Sequence, residues 1–229
     1  MEHTVRAYDE ELDALTAEVS RMGGLAEAEL TDAVQAITRR NLTLAQAVIS
    51  RDERLDEIES EIERRAIRLI ALRQPVADDL RRTVAALKIS TNLERCGDLA
   101  KNIAKRALVI AESDPITPVT RSIERMGELV ASRLKDVLDA FAARDIERAN
   151  AVWRRDHEID EHYDSVFREL LTYMMADPRT INSSAHLLFV AKNLERIGDH
   201  ATNIAEIIHY EVLGEHVTGR RPKLDSLER

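Results

Sequence analysis

The sequence predicts an all-α protein, a tandem duplication of two antiparallel three-helix bundles with six long helices. Scarce helix breakers, apolar residues at steps of three and four, and a segment that occurs twice all support this prediction. Only 7 Gly and 5 Pro occur in 229 residues, and aromatic residues, which favour strands, make up 3%. This composition favours helix over sheet.

The duplication is clearest in a block of thirteen residues. NLERCGDLAKNIA at 92–104 recurs as NLERIGDHATNIA at 193–205, with ten of the positions identical. An offset of 104 pairs earlier positions in the same way, for example Asp52 with Asp156. An apolar period alone does not require matched Asn, Glu, Arg, Gly and Asp residues. We therefore infer two copies of one structural unit, each with its own apolar stripe.

Turn residues divide each unit into three helices. Asn41 and Asp145 are residue types that cap helix N-termini, and Pro75 and Pro178 fit the first turn of a helix. The predicted helices cover about 5–39, 43–72, 77–111, 118–142, 146–175 and 180–213. Since short loops join them, each set of three forms an antiparallel bundle.

The proline-containing segment 113–118 separates the two units. The predicted domains are therefore residues 1–113 and 114–213. The polar tail 214–229 follows them, and we expect it to be disordered.

Charge and cysteine content narrow the possible functions. The net charge of -9 argues against a nucleic acid as the main partner, because such binders present basic surfaces. A single cysteine, Cys96, precludes an intrachain disulfide and fits a reducing compartment. The sequence has neither an apolar run of about 18 residues nor the basic and apolar regions of a signal peptide. We therefore expect a soluble cytoplasmic protein with no direct membrane span.

Each unit contains two pairs of carboxylates spaced four residues apart, which we call the acidic ladders. A step of four places both carboxylates on one helix face, and neighbouring antiparallel helices can bring two ladders together. Hard oxygen ligands of this kind suit magnesium, calcium, manganese and iron, whereas zinc is less natural without Cys or His. We therefore predict metal ions, with iron, manganese, magnesium or zinc as candidates. The predicted ligands are Asp52, Asp56, Glu94, Asp98, Asp156, Asp160, Glu195 and Asp199.

Residues near the ladders have further predicted roles. Asn102 and Asn203 lie one turn beyond each Glu-x-x-x-Asp pattern, as neutral ligands or as donors that orient a carboxylate. Gly97 and Gly198 indicate the close approach of a helix or of a metal cluster. His200 follows a ladder residue directly, and adjacent helical residues point about 100° apart, so we expect it off the metal face.

Two alternatives to a metal-binding regulator stay open. The ladders could form a solvated acidic face that Arg95 and Arg196 neutralise, with no metal in a purely structural module. A carboxylate-bridged di-metal enzyme on a helical bundle is the other alternative. The sequence contains no Gly-rich phosphate loop and no His-Glu-x-x-His motif, and Cys96 lies on the apolar side of its helix. These features favour a protein that binds without catalysis.

The motifs resemble those of the PhoU family of phosphate-signalling proteins. The resemblance covers about residues 5–213 and is most specific in the two thirteen-residue blocks. Cys96 stands where the family usually has Ile, and the tail from Gly214 lies outside the family pattern. The first unit also contains Leu72-Arg73-Gln74-Pro75, followed by Asp79-Leu80-Arg81.

The resemblance implies two three-helix bundles with metal clusters on Glu/Asp-x-x-x-Asp motifs, and a cytoplasmic homodimer without catalytic residues. It implies two partners, the ATPase subunit of the phosphate ABC transporter and a membrane sensor histidine kinase. It further implies that phosphate uptake and phosphate-starvation signalling are repressed when phosphate is plentiful.

Overall fold

The computed structural model describes residues 2–111, 117–218 and 221, which form eight α-helices, one short 3-10 helix and no strand. The all-α prediction is therefore confirmed. The predicted junction at 113 and the tail residues 219–220 and 222–229 lie outside the described residues. The helices are α1 (Glu2–Thr38), α2 (Leu42–Arg51), α3 (Glu53–Arg73), α4 (Ala77–Ile110), α5 (Thr117–Ala143), α6 (Ile146–Arg154), α7 (His157–Ala176) and α8 (Ile181–Leu213), with the 3-10 turn at Pro178–Thr180.

The second and fifth predicted helices are each interrupted once. Helices α2 and α3 meet at Asp52, which keeps helical angles of φ -56° and ψ -38°. Helices α6 and α7 meet at Arg155 and Asp156, where Arg155 leaves the helical region at φ -102° and ψ 16°. Each interruption is a kink in one continuous rod, so the plan of three rods per repeat is retained. No Pro or Gly lies at either kink, and the apolar periodicity continues through both. The sequence therefore gives no signal of where the kinks lie.

The predicted N-caps are confirmed. The Asn41 side chain accepts a hydrogen bond from the Leu44 N–H at 3.0 Å, and Asp145 accepts one from the Arg148 N–H at 3.1 Å. These bonds satisfy donors that the first helical turn leaves without a backbone partner. Arg40 and Arg144, which precede the caps, both adopt a left-handed conformation with φ 52°. The two repeats therefore share their turn geometry as well as their sequence.

Helices α1, α4, α5 and α8 form the centre of the molecule, with the kinked rods packed outside them. Their buried apolar side chains form one continuous core that includes residues of both repeats. A Cβ at Gly23 would lie 2.3 Å from Leu138 Cδ2, and a Cβ at Gly127 would lie 2.7 Å from Val34 Cγ2. Leu138 is the repeat equivalent of Val34, so α1 and α5 pack through a reciprocal, twofold-like contact.

Among the described helices, none combines the length and the apolar composition that a membrane span requires.

Cys96 is fully buried in α4, and burial raises the pKa of its thiol to about 12. A thiol in that environment packs as a small apolar group and is not a nucleophile.

Candidate metal centre

In the first repeat, the kink between α2 and α3 lies opposite α4. Asp52, at the kink, is 2% exposed and forms an ion pair with Lys101 of α4. The same Lys101 Nζ lies 3.8 Å from Asp98 Oδ1. Burial and the nearby carboxylates of Asp52 and Asp98 raise the pKa of Asp56, one turn further along α3. The structure thus brings Asp52, Asp56 and Asp98 of the two predicted ladders within electrostatic reach of one another.

A fourth carboxylate, Glu29 of α1, joins this group and was not predicted. Glu29 is 3% exposed, and its Oε2 has no hydrogen-bond partner. Burial and the charge of Asp52 raise the pKa of Glu29 to about 7. A buried polar atom without a partner costs about 1–3 kcal/mol, so this oxygen is suited to hold a proton or to accept a cation. The sequence contains a signal for this buried carboxylate, because Glu29 occupies a position on the same apolar stripe as Met22 and Ala26.

Glu94 belongs to the same group, and its side chain is 15% exposed, compared with 39% for Asp98. Burial, together with the charges of Asp98, Glu59 and Asp56, raises the pKa of Glu94 to about 7 against the opposing effect of Arg95. Arg95 Nε lies 3.4 Å from Glu94 Oε2, and its Nη1 lies 3.5 Å from Asp98 Oδ2. The Arg95 side chain is 57% exposed, and exposed pairs of this length contribute at most about 1 kcal/mol. The alternative in which Arg95 neutralises the ladder without metal therefore has contacts that support it, but these contacts are weak.

In the second repeat, the equivalent kink is held by a different set of contacts. Asp156 is 5% exposed and accepts a hydrogen bond from the Thr202 hydroxyl at 2.7 Å. Arg221, from the tail, donates through Nε to Asp156 Oδ2 at 2.7 Å and through Nη2 to Asp199 Oδ1 at 2.7 Å. One guanidinium therefore bridges residues of both predicted ladders. Asp160 lies one turn beyond Asp156 in α7.

The repeats also differ on the helix beneath each kink. Arg133 of α5 stands at the repeat equivalent of Glu29, is 4% exposed, and pairs with Glu158. Thr202 stands at the equivalent of Lys101. Glu195 pairs with Lys192 at 2.8 Å. The first repeat thus gathers an additional carboxylate where the second places an arginine.

The predicted asparagines and histidine are placed as follows. Asn102 is exposed on α4. Asn203 accepts a hydrogen bond from Arg221 Nη1 at 3.3 Å, so it contacts the cation that bridges the second pair of ladders. His200 Nδ1 lies 2.9 Å from Asn92 Oδ1 of α4, at the contact between repeats. The expected position of His200 off the metal face stays a prediction.

The duplicated ladder glycines are explained by helix packing. A Cβ at Gly97 would lie 2.3 Å from Leu55 Cδ1, and a Cβ at Gly198 would lie 2.5 Å from Ile159 Cδ1. Leu55 and Ile159 are the residues that follow each kink by three positions. Both glycines therefore admit an apolar side chain from the kinked rod, which supports the helix-approach interpretation.

The side chains as placed are not a preformed coordination shell. Among the described residues, no three Asp, Glu, His or Cys side chains form a group that could hold a metal ion. Lys101 and Arg221 each contact the carboxylate atoms that a shared ion would use. Metal ligation by the eight ladder residues stays a prediction, and at Asp52 and Asp98 it requires Lys101 to move aside.

Known proteins are similar to this chain over most or all of its length. A family model described as the PhoU domain matches residues 19–107 and 123–208, one copy per repeat. The phosphate-specific transport system accessory protein PhoU homolog of Caulobacter vibrioides (strain NA1000 / CB15N) is 68% identical over 100% of this chain and 99% of that protein. The protein of the same description from Rhizobium meliloti (strain 1021) is 52% identical over 97% and 94%.

Solved structures agree with the sequence matches. The crystal structure of PhoU from Pseudomonas aeruginosa has a TM-score of 0.88 and 37% identity, covering 91% of this chain and all of that one. The phosphate transport system regulatory protein PhoU from Streptococcus pneumoniae has a TM-score of 0.85 and 29% identity, covering 92% and 99%. These matches extend over both repeats and over the acidic ladders. The chain therefore belongs to the PhoU family.

Proposed function

We propose that this chain is a cytoplasmic regulator of phosphate homeostasis that acts by binding other proteins. The observation that supports the proposal most is the match over nearly the whole length of relatives that are named as accessory proteins of phosphate-specific transport. Of the two solved relatives, one is named PhoU and the other the phosphate transport system regulatory protein PhoU. The proposed role is repression of phosphate uptake and of phosphate-starvation signalling when phosphate is plentiful.

The proposed partners are the ATPase subunit of the phosphate ABC transporter and a membrane sensor histidine kinase. An acidic helical protein with a net charge of -9 suits partner surfaces that are basic at the point of contact. The chain is proposed to act as a homodimer, so that one assembly contacts two copies of a partner. We favour this role over a di-metal enzyme because none of the compared relatives is named for an activity.

Metal binding by the first repeat is a further part of this proposal. Glu29, Asp52, Asp56 and Asp98 form an electrostatically crowded group, and the buried Oε2 of Glu29 lacks a partner. Such a set fits a hard divalent or trivalent cation, with Glu94 as a further carboxylate of the group. Bound metal would supply positive charge that joins α1, the α2–α3 kink and α4. The second repeat fits less well, because Arg221 and Arg133 already supply positive charge there.

The proposed partner is tested by affinity capture from phosphate-replete cells that make a tagged copy of the chain. We expect the phosphate transporter's ATPase subunit among the retained proteins, and direct binding when the two are purified and mixed. A control capture uses a variant in which Glu10, exposed on α1, is replaced by Gln, and this variant should retain the same partner. Failure of the purified ATPase subunit to bind at micromolar concentration would contradict the proposal.

A further inference from the structure

The described residues of the tail fold back along α8. Helix α8 ends at Gly214, whose left-handed φ of 74° reverses the chain and whose N–H donates to the Tyr210 carbonyl at 2.8 Å. Two residues later, the His216 ring stacks on the Tyr210 ring with centroids 4.7 Å apart. Arg221 then lies beside Asn203 and Asp199, several turns back along the helix. Three separate contacts therefore place Gly214, His216 and Arg221 against α8.

Arg221 ends this path inside the acidic group of the second repeat. Its side chain is 20% exposed, whereas that of Asp156 is 4% exposed. In addition to the two bonds described above, Nη2 lies 2.9 Å from Asp156 Oδ1 and 3.4 Å from the Asp199 carbonyl. The guanidinium thus engages both oxygens of one buried carboxylate and one oxygen of a second. A planar fork of donors matches this arrangement better than an ammonium does.

The contrast between repeats gives the arginine a specific role. In the first repeat, Lys101 of α4 neutralises the buried Asp52. In the second, Thr202 occupies that position and supplies a hydrogen bond without charge. Asp156 would then be a buried carboxylate without a cation, which is costly. Arg221 supplies the missing charge from outside the repeat.

We propose that Arg221 is a built-in cation for the second repeat, which seats the tail against α8 and excludes divalent metal from Asp156 and Asp199. In the first repeat, no guanidinium among the described residues engages both oxygens of the buried carboxylate. Lys101 contacts one oxygen of Asp52 and lies 3.8 Å from one oxygen of Asp98, and the exposed Arg95 lies 3.5 Å from the other oxygen of Asp98. A single flexible ammonium is displaced more easily than this guanidinium fork, so the first repeat is the one that takes metal once Lys101 moves aside. This inference rests on the metal part of the proposed function. A guanidinium and a metal ion cannot share the same carboxylate oxygens, because both are cations and both require direct contact. Withdrawal of the Arg221 side chain therefore opens the second site.

The test compares the full-length protein with Arg221→Gln by titration with Mn²⁺ under metal-free conditions. Wild type is expected to bind Mn²⁺ in one class of site that Asp98→Asn removes. The Arg221→Gln variant is expected to show a second class of site, located in the second repeat. The Kd of this site for Mn²⁺ should be at least about tenfold lower than the Kd of the same repeat in wild type. This second class disappears when Asp199→Asn is added. Arg64→Gln is the charge-matched control, since Arg64 is exposed and its printed contacts, with Glu61 and the Ser60 carbonyl, lie within its own helix.

Tail seating is measured separately, by thermal unfolding in a chelator. The Arg221→Gln variant leaves Asp156 buried without a cation, so the melting temperature of this variant should fall by about 5–10 °C. The melting temperature of the Arg64→Gln variant should equal that of wild type. Equal melting temperatures for the two variants would overturn the proposal that Arg221 is held against α8 by Asp156 and Asp199. Mn²⁺ binding to both repeats of wild type would overturn the exclusion alone. Absence of Mn²⁺ binding in every variant would overturn the exclusion together with the metal part of the proposed function.

Discussion

Glu29 shows how one residue gives the two repeats different electrostatics. It stands at an apolar-stripe position of α1, and its duplicate in α5 is Arg133. Both side chains are buried, yet only Arg133 has a charged partner, Glu158. The free energy of unfolding should therefore depend on the protonation of Glu29 in metal-free protein.

The pKa of about 7 for Glu29 lies above the ordinary value near 4.5, so the folded state binds this proton more tightly than the unfolded chain. The contribution of Glu29 to stability should therefore be greatest below pH 4.5 and be lost as pH rises from about 4.5 through about 7. Glu29→Gln should stabilise the metal-free protein by about 2 kcal/mol at pH 8 and have little effect at pH 5. Urea unfolding in a chelator at both pH values measures this.

Glu10→Gln on the exposed face of α1 is the control for that comparison, and its effect should be small at both pH values. Some pH dependence should survive in Glu29→Gln, because the pKa of Glu94 is also raised to about 7. Equal destabilisation by Glu29→Gln at pH 5 and pH 8 would show that Glu29 is not held as an unpaired buried carboxyl.

At the level of the helices, adjacent glycines in α1 offer a matched pair. A Cβ at Gly24 would meet nothing within 4 Å, whereas a Cβ at Gly23 would lie 2.3 Å from Leu138 Cδ2 of α5. Gly24→Ala should stabilise the protein by about 0.5–1 kcal/mol through helix propensity. Gly23→Ala should destabilise it by about 1–3 kcal/mol, because Leu138 must repack.

Thermal unfolding of the two variants separates these expectations. The contact between α1 and α5 would be refuted if Gly23→Ala proved as stable as Gly24→Ala. The same helix propensity applies to both positions, so a difference between them reports the contact between repeats.

The sequence predicted the helices well because their signals are local. Caps such as Asn41 and Asp145, and apolar steps along α4, depend only on neighbouring residues. The kinks at Asp52 and Asp156 were missed because they follow from packing across to α4 and α8, which no nearby Pro or Gly signals. Arg221 was missed for a similar reason, since a contact 65 residues away in sequence from Asp156 leaves no local pattern.

At the scale of the whole molecule, the repeats share one core. Helices α1 and α4 pack on α5 and α8, so an isolated first repeat would expose an apolar face. Because the missing helices are repeat equivalents of α1 and α4, a second copy of residues 1–113 can cover that face. We expect this fragment to be helical and to form a dimer at micromolar concentration.

Analytical ultracentrifugation of residues 1–113 measures that prediction. Gly23→Trp, which fills the space that Leu138 contacts in the full chain, should shift the fragment towards monomer. A fragment that is monomeric and melts cooperatively would show that the first repeat folds independently of the contact between repeats.

The regulatory role itself is a property of the whole protein in its cell. If the chain represses starvation signalling through partner binding, its loss should leave phosphate-starvation genes expressed in rich phosphate. Metal in the first repeat is proposed to organise that partner surface. Asp98→Asn should therefore restore less repression than wild type, while Glu10→Gln restores all of it.

The most direct test is the expression of a phosphate-starvation reporter in phosphate-rich medium. The strain should lack this chain and any second copy of the family. The account predicts high reporter expression in the deletion strain, and a return to low expression when the wild-type chain is supplied. Reporter expression and phosphate uptake that are unchanged by the deletion would contradict the proposed function.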